Sequence, residues 1–127
     1  MNTLLNLDNN IKLIDLIINS INDLIYLIQD KSKLNDTIFT TITLILDFLG
    51  IIIKSLPQVL ISENNFDEYK SELLNSYTNV YEHWTNPYSS SEQFTNSWYD
   101  FYFWWQEFNK SMRKIIQSSH TIYLSMN

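Results

Sequence analysis

Cysteine and alanine are absent from this chain of 127 residues, which also has only one glycine and two prolines. The absence of cysteine excludes a disulfide framework, thiol catalysis and a zinc site with cysteine ligands. A single glycine cannot supply the phosphate-binding motifs G-x-G-x-x-G or G-x-x-x-x-G-K-[ST]. The classes of nucleotide-binding protein that depend on these motifs are therefore excluded.

The amino acids encoded by GC-rich codons are also scarce. Alanine, glycine, proline and arginine together supply four residues, whereas isoleucine, leucine and asparagine supply 17, 16 and 15. This bias predicts that a very AT-rich genome encodes the chain. It also means that abundant isoleucine or asparagine does not by itself indicate strands or prion-like segments.

Positive charge is scarce too, since 14 acidic residues stand against 8 basic ones and the formal net charge is −6. With 45% apolar and 17% charged residues, the chain is too hydrophobic to be wholly disordered. Phosphate contact needs clustered Lys and Arg, so we expect no nucleic-acid partner. The first residues lack a basic stretch followed by an apolar one, so we expect no secretory signal and a cytoplasmic location. A membrane-associated or organellar location is the alternative.

Apolar residues recur at alternating spacings of four and three along most of the chain, which predicts amphipathic helices. From Leu7 to Ile28 the apolar residues at this spacing form one continuous line, which we call a seam, and this seam predicts the first helix. Further leucine and isoleucine residues beside the seam are expected to widen the buried stripe. Lys31 and Lys33 are expected to complement the C-terminal end of this helix. Asn35 or Asp36 is expected to cap the next helix. The leucine and isoleucine residues that widen the first stripe are Leu13, Leu16, Ile17, Leu24 and Leu27.

Two further helices are predicted in the second half of the chain, on either side of a turn at residues 86–91. Within this turn Ser89 and Glu92 form an S-x-x-E helix start. Short connections favour an all-α fold, an antiparallel four-helix bundle with coiled-coil-like seams, in one domain over residues 1–127. An aliphatic hairpin (4–61) is joined to an aromatic hairpin (65–123), which holds sixteen of the nineteen aromatic residues.

The seam residues form the predicted core of this bundle. They combine isoleucine and leucine from the first hairpin with aromatic residues from the second. The predicted core residues are Ile14, Ile18, Ile21, Ile25, Ile45, Leu49, Ile52, Leu73, Tyr77, Trp84, Trp98, Phe101, Trp105 and Phe108.

The segment Ile38–Ile53 is the best candidate for a membrane span. It is shorter than the roughly 20 apolar residues that a bilayer requires, and it contains three threonines and Asp47. We therefore expect a buried helix, with membrane association as the alternative that is not favoured.

A metal site is not expected, because the two histidines, His83 and His120, lack the Glu-x-x-His spacing of metal sites in helical bundles. No cofactor is expected either. Arg113 and His120 lie seven residues apart, on one helix face. The string from Arg113 to His120 resembles the R-x(4–6)-H signature of HEPN-domain ribonucleases, which are also small helical bundles.

That resemblance covers eight residues. It implies that Arg113 and His120 would come together across a dimer and cleave RNA without a metal. The family usually has Asn, Asp or His directly after the arginine, where this chain has Lys114. The favoured interpretation is simpler: both residues are cations near a helix C-terminus, where they interact favourably with the helix dipole.

The aromatic run between Trp98 and Phe108 is the most informative feature, because its members cannot all face one core stripe. One interpretation is that this helix packs on two sides within the bundle, partly against the aromatic residues of the third helix. The other is an interface, because tyrosine and tryptophan are enriched at binding hot spots. A belt of aromatic residues that faces lipid is a third alternative. The predicted interface consists of Tyr99, Tyr102, Phe103 and Trp104.

We therefore expect a non-enzymatic helical interaction or assembly protein that associates with itself or with a larger protein through this aromatic face. Inhibitors, immunity factors, antitoxins, adaptors and structural subunits all fit that description. A HEPN-like metal-independent ribonuclease and a subunit of a membrane complex are the alternatives.

Overall fold

The computed structural model describes residues 2–56 and 66–125, and the side chains of residues 6–56 and 67–118. These residues form four helices: α1 (Asn2–Ile28), α2 (Asp36–Lys54), α3 (Phe66–Thr85) and α4 (Ser91–Ser125). A 3-10 turn at Lys31–Lys33 joins α1 to α2. The predicted all-α four-helix bundle is thus confirmed. Residues 57–61 of the predicted aliphatic hairpin and residue 65 of the aromatic one lie outside the described part.

The helices pack in the order in which they follow one another, and α1 closes the bundle by packing against α4. Between α2 and α3, the indole Nε1 of Trp84 donates to Thr43 Oγ1, and Lys70 Nζ donates to the carbonyl oxygen of Leu56. Trp84, near the end of α3, therefore meets the first half of α2, whereas Lys70, near the start of α3, meets Leu56, just after the end of α2. The two helices are antiparallel.

A row of polar side chains, one every seven residues along α1, faces α4 and orients the two helices. The indole Nε1 of Trp105 donates to Asp15 Oδ1 at 2.9 Å, and that of Trp98 donates to Asn22 Oδ1 at 3.3 Å. The order of partners is antiparallel, and each bond fixes the rotation of α1 about its axis. The full set of pairs is Asp8–Arg113, Asp15–Trp105, Asn22–Trp98 and Gln29–Thr95.

One hydrophobic core takes residues from all four helices. Its aliphatic side comes from α1 and α2, and its largest fully buried side chains are aromatic residues of α3 and α4. The two chemically different halves of the sequence therefore meet in a shared core. Of the predicted core residues, those that are buried are Ile14, Ile18, Ile21, Ile25, Leu49, Ile52, Leu73, Tyr77, Trp84, Trp98, Phe101, Trp105 and Phe108.

Ile45 is the predicted core residue that the structure contradicts. Its exposed fraction is 37%, whereas that of Leu46 beside it is 1%. Helix α3 packs on the Leu46 side of α2, where Tyr77 donates a hydrogen bond to the Leu46 carbonyl oxygen. Leu46, Leu49 and Ile53 consequently face the core. The predicted helical period was right, but part of the seam was shifted by one residue.

The helix starts follow the capping rules. Asn35 caps α2 as expected, because its side chain accepts a hydrogen bond from the backbone N–H three residues later, at 2.8 Å. Helix α4 begins with a reciprocal pair: Gln93 N donates to Ser90 Oγ, and Ser90 N donates to Gln93 Oε1. This pair lies one residue after the predicted pair of Ser89 and Glu92. Both pairs have suitable side chains, so the sequence alone does not choose between them.

Lys31 stabilises a different helix end from the one predicted. Its Nζ donates to the backbone oxygens of His83, Trp84 and Asn86 at 2.7, 3.1 and 2.7 Å. Lys31 therefore satisfies carbonyl groups at the C-terminal end of α3 rather than α1. Partial burial lowers the pKa of this ammonium group. The contact ties the α1–α2 turn to the α3–α4 turn at one end of the bundle.

Candidate interaction surface

The aromatic run of α4 is used mainly inside the bundle. Trp104 and Tyr102 are half-buried and pack against the core. The ring centroid of Trp104 lies 6.3 Å from that of Tyr69 on α3 and 5.2 Å from that of Phe103. Two of the four predicted interface residues therefore contribute to helix packing instead of standing free on the surface. For these two residues, the structure agrees with the alternative in which α4 packs on two sides, and Trp104 does so towards α3.

The other two predicted interface residues do reach the surface. The exposed fractions of Tyr99 and Phe103 are 43% and 50%. They lie one helical turn apart on α4 and so are neighbours. A hydrogen bond with Tyr26 of α1 is the main cause that raises the pKa of Tyr99. Tyr26, Tyr99 and Phe103 form a small aromatic patch on the outer side of α1 and α4.

A larger apolar surface lies on α1 and α2, where the expectation of a widened core stripe was wrong. Of the five residues that were to widen the stripe, only Ile17 packs against the core. The exposed fractions reach 65% for Leu16 and 71% for Leu27 on α1, and 61% for Leu44 on α2. We call this surface the α1–α2 face. Its members are Leu13, Leu16, Leu24, Leu27, Ile38, Leu44, Ile45, Phe48 and Ile51.

Two independent contacts place these residues on one side of the bundle. On α1, the row that contains Asp15 and Asn22 faces α4, and Leu13 and Leu24 lie on the opposite side of that helix. Leu16 and Leu27 point away from the core, beside them. On α2, the side that contains Thr43 faces α3, and Ile45 and Phe48 lie on the other side. Leu44 and Ile51 point away from the core, and Ile51 also lines the cavity between α2 and α3. Since α1 and α2 are neighbours, the side of α1 away from α4 and the side of α2 away from α3 form the same outer face.

The α1–α2 face is almost free of charge. Between its apolar residues lie Ser20 of α1 and Thr41 of α2, both exposed hydroxyl side chains. At 100° per residue, Lys12 and Asp23 lie at the outer margin of the α1 side, and Asp47 and Lys54 lie on the α3 side of α2. A surface with this composition binds water poorly and is typical of sites that are covered by a partner.

Helix α2 also meets the length and composition criteria for a membrane span. Among the described residues, Asp36–Lys54 is the helix that does so, and 28% of the span is buried inside the bundle. Core helices of soluble proteins pass the same test, so the criterion by itself is weak. The low buried share of α2 has the same origin as the α1–α2 face: among the described residues, one side of α2 is apolar and exposed.

Of the two residues that define the HEPN-like string, the structure describes the side chain of Arg113 only. Arg113 forms an ion pair with Asp8 of α1 that is also a hydrogen bond. Asp8 has a second ion pair, with Lys12 at 3.0 Å. The hydrogen bond from Lys12 is the main cause that lowers the pKa of Asp8, and Arg113 contributes to the shift. The side chain of His120 lies outside the described part.

Two open cavities lie between helices. One, of about 720 Å³, is at the end of the bundle where Lys31 contacts α3, and Phe39 stacks on Trp84 in its wall with ring centroids 4.9 Å apart. The other, of about 590 Å³, lies between α2 and α3 and is lined by Asp47 and Tyr81, among others. A hydrogen bond with Asp47 is the main cause that raises the pKa of Tyr81. Lys31 in the first cavity and Tyr81 and Asp47 in the second are thus already hydrogen-bonded within the protein.

Metal ligands do not cluster in the part of the chain that the structure describes: it contains no group of three or more His, Asp or Glu side chains that could hold an ion. His83 is half-buried, and its Nδ1 has no hydrogen-bond partner. No protein-family model, curated protein or solved structure matches the chain.

The broad apolar stripes predict more apolar surface than one small bundle can bury, and hence association, but the sequence alone did not place the excess on the α1–α2 face. A buried stripe in a four-helix bundle covers roughly three of every seven positions. In α1, the seam from Leu7 to Ile28 takes two of every seven positions, and Ile17 beside it packs against the core as a third in its heptad. Leu16, Leu24 and Leu27 are additional to it, so an excess of apolar residues over the capacity of the core was visible in the sequence.

Proposed function

We propose that this chain is a non-enzymatic interaction or assembly protein. The observation that supports the proposal is the extent of apolar, nearly uncharged surface on the α1–α2 face. The exposed areas of its nine members add up to on the order of 800 Å², and the largest contiguous patch on a typical monomer covers about 300–600 Å². A surface of this kind is costly to keep in water and is usually covered by a partner.

The small aromatic patch on α4 supports the same function as a second, lesser contact site. Phe103 and Tyr99 retain exposed rings there, and such residues are frequent at binding hot spots. The ribonuclease alternative has less support, because the guanidinium group of Arg113 is held by Asp8.

Co-purification from the native host tests this proposal. A tagged chain should be recovered in a complex of fixed stoichiometry, with itself or with another protein. The variant Leu16→Glu/Leu44→Glu places charges on exposed positions of the α1–α2 face and should weaken that complex while helicity is preserved. The matched control Thr78→Glu places a charge on an exposed position of α3 and should leave the complex intact.

Two results would overturn the proposal. One is a complex that neither the α1–α2 face variant nor Phe103→Glu affects. The other is reproducible cleavage of single-stranded RNA in EDTA by the purified chain that is abolished in both Arg113→Ala and His120→Ala. We expect no cleavage.

A further inference from the structure

The α1–α2 face also bears on which partner covers it. We propose that this face pairs with the α1–α2 face of a second copy of this chain, in a twofold-symmetric dimer. The inference rests on the proposed function and goes further, since the proposed function leaves open whether the partner is a copy or another protein.

The area of the face matches what a stable dimer needs. Its exposed apolar residues supply on the order of 800 Å² per copy, and a standard interface buries about 800 Å² on each partner. The small aromatic patch around Phe103 is far below this size. The α1–α2 face is thus the described surface that is large enough to hold two copies together without another contact.

The distribution of charge favours a second copy. The chain carries a net charge of −6, so contact between the acidic surfaces of two copies is disfavoured, most strongly at low salt. The α1–α2 face has its charged neighbours, Lys12 and Asp23, only at the margin. Two copies can therefore meet through this face while their acidic surfaces point away from each other.

The layout of the face fits a twofold axis. Helices α1 and α2 leave a common turn and run back antiparallel, so residues equally far from the turn lie at the same level. Leu16 is thus level with Phe48, and Leu13 is level with Ile51. The face thus consists of two apolar ridges side by side, one on each helix. In a twofold interface, the ridges of one copy meet the apolar ridges of the other copy.

A lipid surface fits this face less well. Helices that lie on membranes combine an apolar side with Lys and Arg and with interfacial Trp or Tyr. The α1–α2 face has one aromatic residue, Phe48, and no basic residue inside its margin. A spanning α2 would have to leave the bundle, which would expose Leu46 and Ile53 and break the hydrogen bond between Thr43 and Trp84.

Light scattering after size exclusion, with the purified full chain at micromolar concentration, tests this pairing. We expect a mass about twice the 15.2 kDa of the monomer. The variant Leu16→Glu/Leu44→Glu should be a monomer with unchanged helicity, and so should Leu16→Lys/Leu44→Lys. The matched control Phe103→Glu, also an exposed apolar position on an outer side, should stay a dimer.

Mixing the two charged variants identifies the partner. If two α1–α2 faces meet, the acidic and basic variants should form a mixed dimer, although neither dimerises alone. Because the chain has no native cysteine, Ser20→Cys gives a single thiol on the face. A bifunctional maleimide should cross-link this variant to itself, whereas Thr78→Cys on α3 should stay monomeric on a denaturing gel.

Four results would overturn the inference. They are a wild-type monomer at micromolar concentration, a dimer that survives the double glutamate substitution, a dimer that only Phe103→Glu disrupts, and charged variants that do not associate when mixed. Flotation with phosphatidylcholine vesicles that Leu16→Glu/Leu44→Glu abolishes would assign the face to lipid. A wild-type monomer whose complex in the host still depends on this face would refute the dimer and leave the proposed function standing.

Discussion

The phenol ring of Tyr77 on α3 lies directly over Gly50 on α2, the only glycine of the chain. A β-carbon built on Gly50 would lie 2.6 Å from Tyr77 Cζ and 2.7 Å from its Cε1. The hydroxyl of the same ring donates a 2.5 Å hydrogen bond to the carbonyl oxygen of Leu46. The glycine therefore permits the close approach that sets the packing of α2 against α3.

This relationship predicts that Gly50→Ala destabilises the bundle. In an exposed helix interior this change stabilises by about 1 kcal/mol, because alanine favours the helix. Here the added methyl group must displace a buried ring, which costs about 1–3 kcal/mol. Urea unfolding followed by circular dichroism measures the difference. Thr40→Ala, at an exposed position of the same helix, is the control and should be neutral or stabilising. An unchanged or raised stability for Gly50→Ala would contradict the packing described.

Tyr77 also predicts a specific loss of stability in alkali. Burial raises the pKa of its hydroxyl from the ordinary value of 10.0 to about 12, and the nearby charge of Asp47 adds to the shift. The folded state thus favours the neutral phenol. This contribution is complete below pH 10.0 and is lost as the pH rises through about 12.

The melting temperature should therefore fall less steeply between pH 10 and 12 in Tyr77→Phe than in the wild type. At neutral pH, Tyr77→Phe should be somewhat less stable, because it lacks the hydrogen bond to Leu46. Tyr88→Phe removes a phenol that is 93% exposed and serves as the control. Parallel pH profiles for wild type and Tyr77→Phe would show that this hydroxyl is not the group that titrates.

The ion pair between Arg113 and Asp8 predicts that the stability difference between the wild type and a variant without Arg113 depends on pH. The pKa of Asp8 is lowered from 3.8, mainly by the hydrogen bond from Lys12 and further by Arg113. Its contribution is present above pH 3.8 and is lost as the pH falls through the lowered pKa. Removing the Arg113 charge should therefore lower the free energy of unfolding at neutral pH but have little effect on it in acid.

Arg113→Gln should cost about 0.2–1 kcal/mol at pH 7, the range for partly exposed ion pairs. Thermal unfolding should show this difference shrinking as Asp8 is protonated, and high salt should reduce it as well. Lys114→Gln, at the adjacent exposed position, is the control. A difference that persists in acid would mean that Arg113 acts through packing of its aliphatic stem rather than through its charge.

The fold class could be derived from the sequence because heptad spacing survives compositional bias. The pattern from Leu7 to Ile28 fixes the buried side of α1, and the turn around Pro87 separates α3 from α4. The rotation of α2 could not be derived, because it depends on Tyr77 packing over Gly50. That contact joins residues 27 positions apart along the chain.

The candidate surface was harder to predict than the fold. An aromatic residue beside a seam can pack on a neighbouring helix or face solvent, and spacing alone does not distinguish the two. Trp104 packs towards Tyr69, whereas Phe103 beside it is half exposed. Leucine is equally ambiguous: beside the seam, Leu16 and Leu27 fit a widened buried stripe, and aliphatic residues are usually buried. In the part of the chain that the structure describes, both side chains are mostly exposed.

Substitutions along the aromatic run of α4 should separate packing from surface. Trp98 is fully buried and its indole donates to Asn22, so Trp98→Ala should cost about 3–5 kcal/mol and threaten folding of so small a domain. Trp104 is half-buried against the core and Tyr69, so Trp104→Ala should cost clearly less but should still lower the melting temperature. Phe103→Ala should change it little.

Chemical unfolding of the three variants, monitored by circular dichroism, measures this order. Association should be followed in parallel by light scattering, and we expect Trp104→Ala and Phe103→Ala to leave the oligomeric state unchanged. A Trp104→Ala variant with wild-type stability and lost association would restore Trp104 as an interface anchor on α4. Equal destabilisation by Trp98→Ala and Trp104→Ala would instead show that α4 is packed as firmly towards α3 as towards the centre of the bundle.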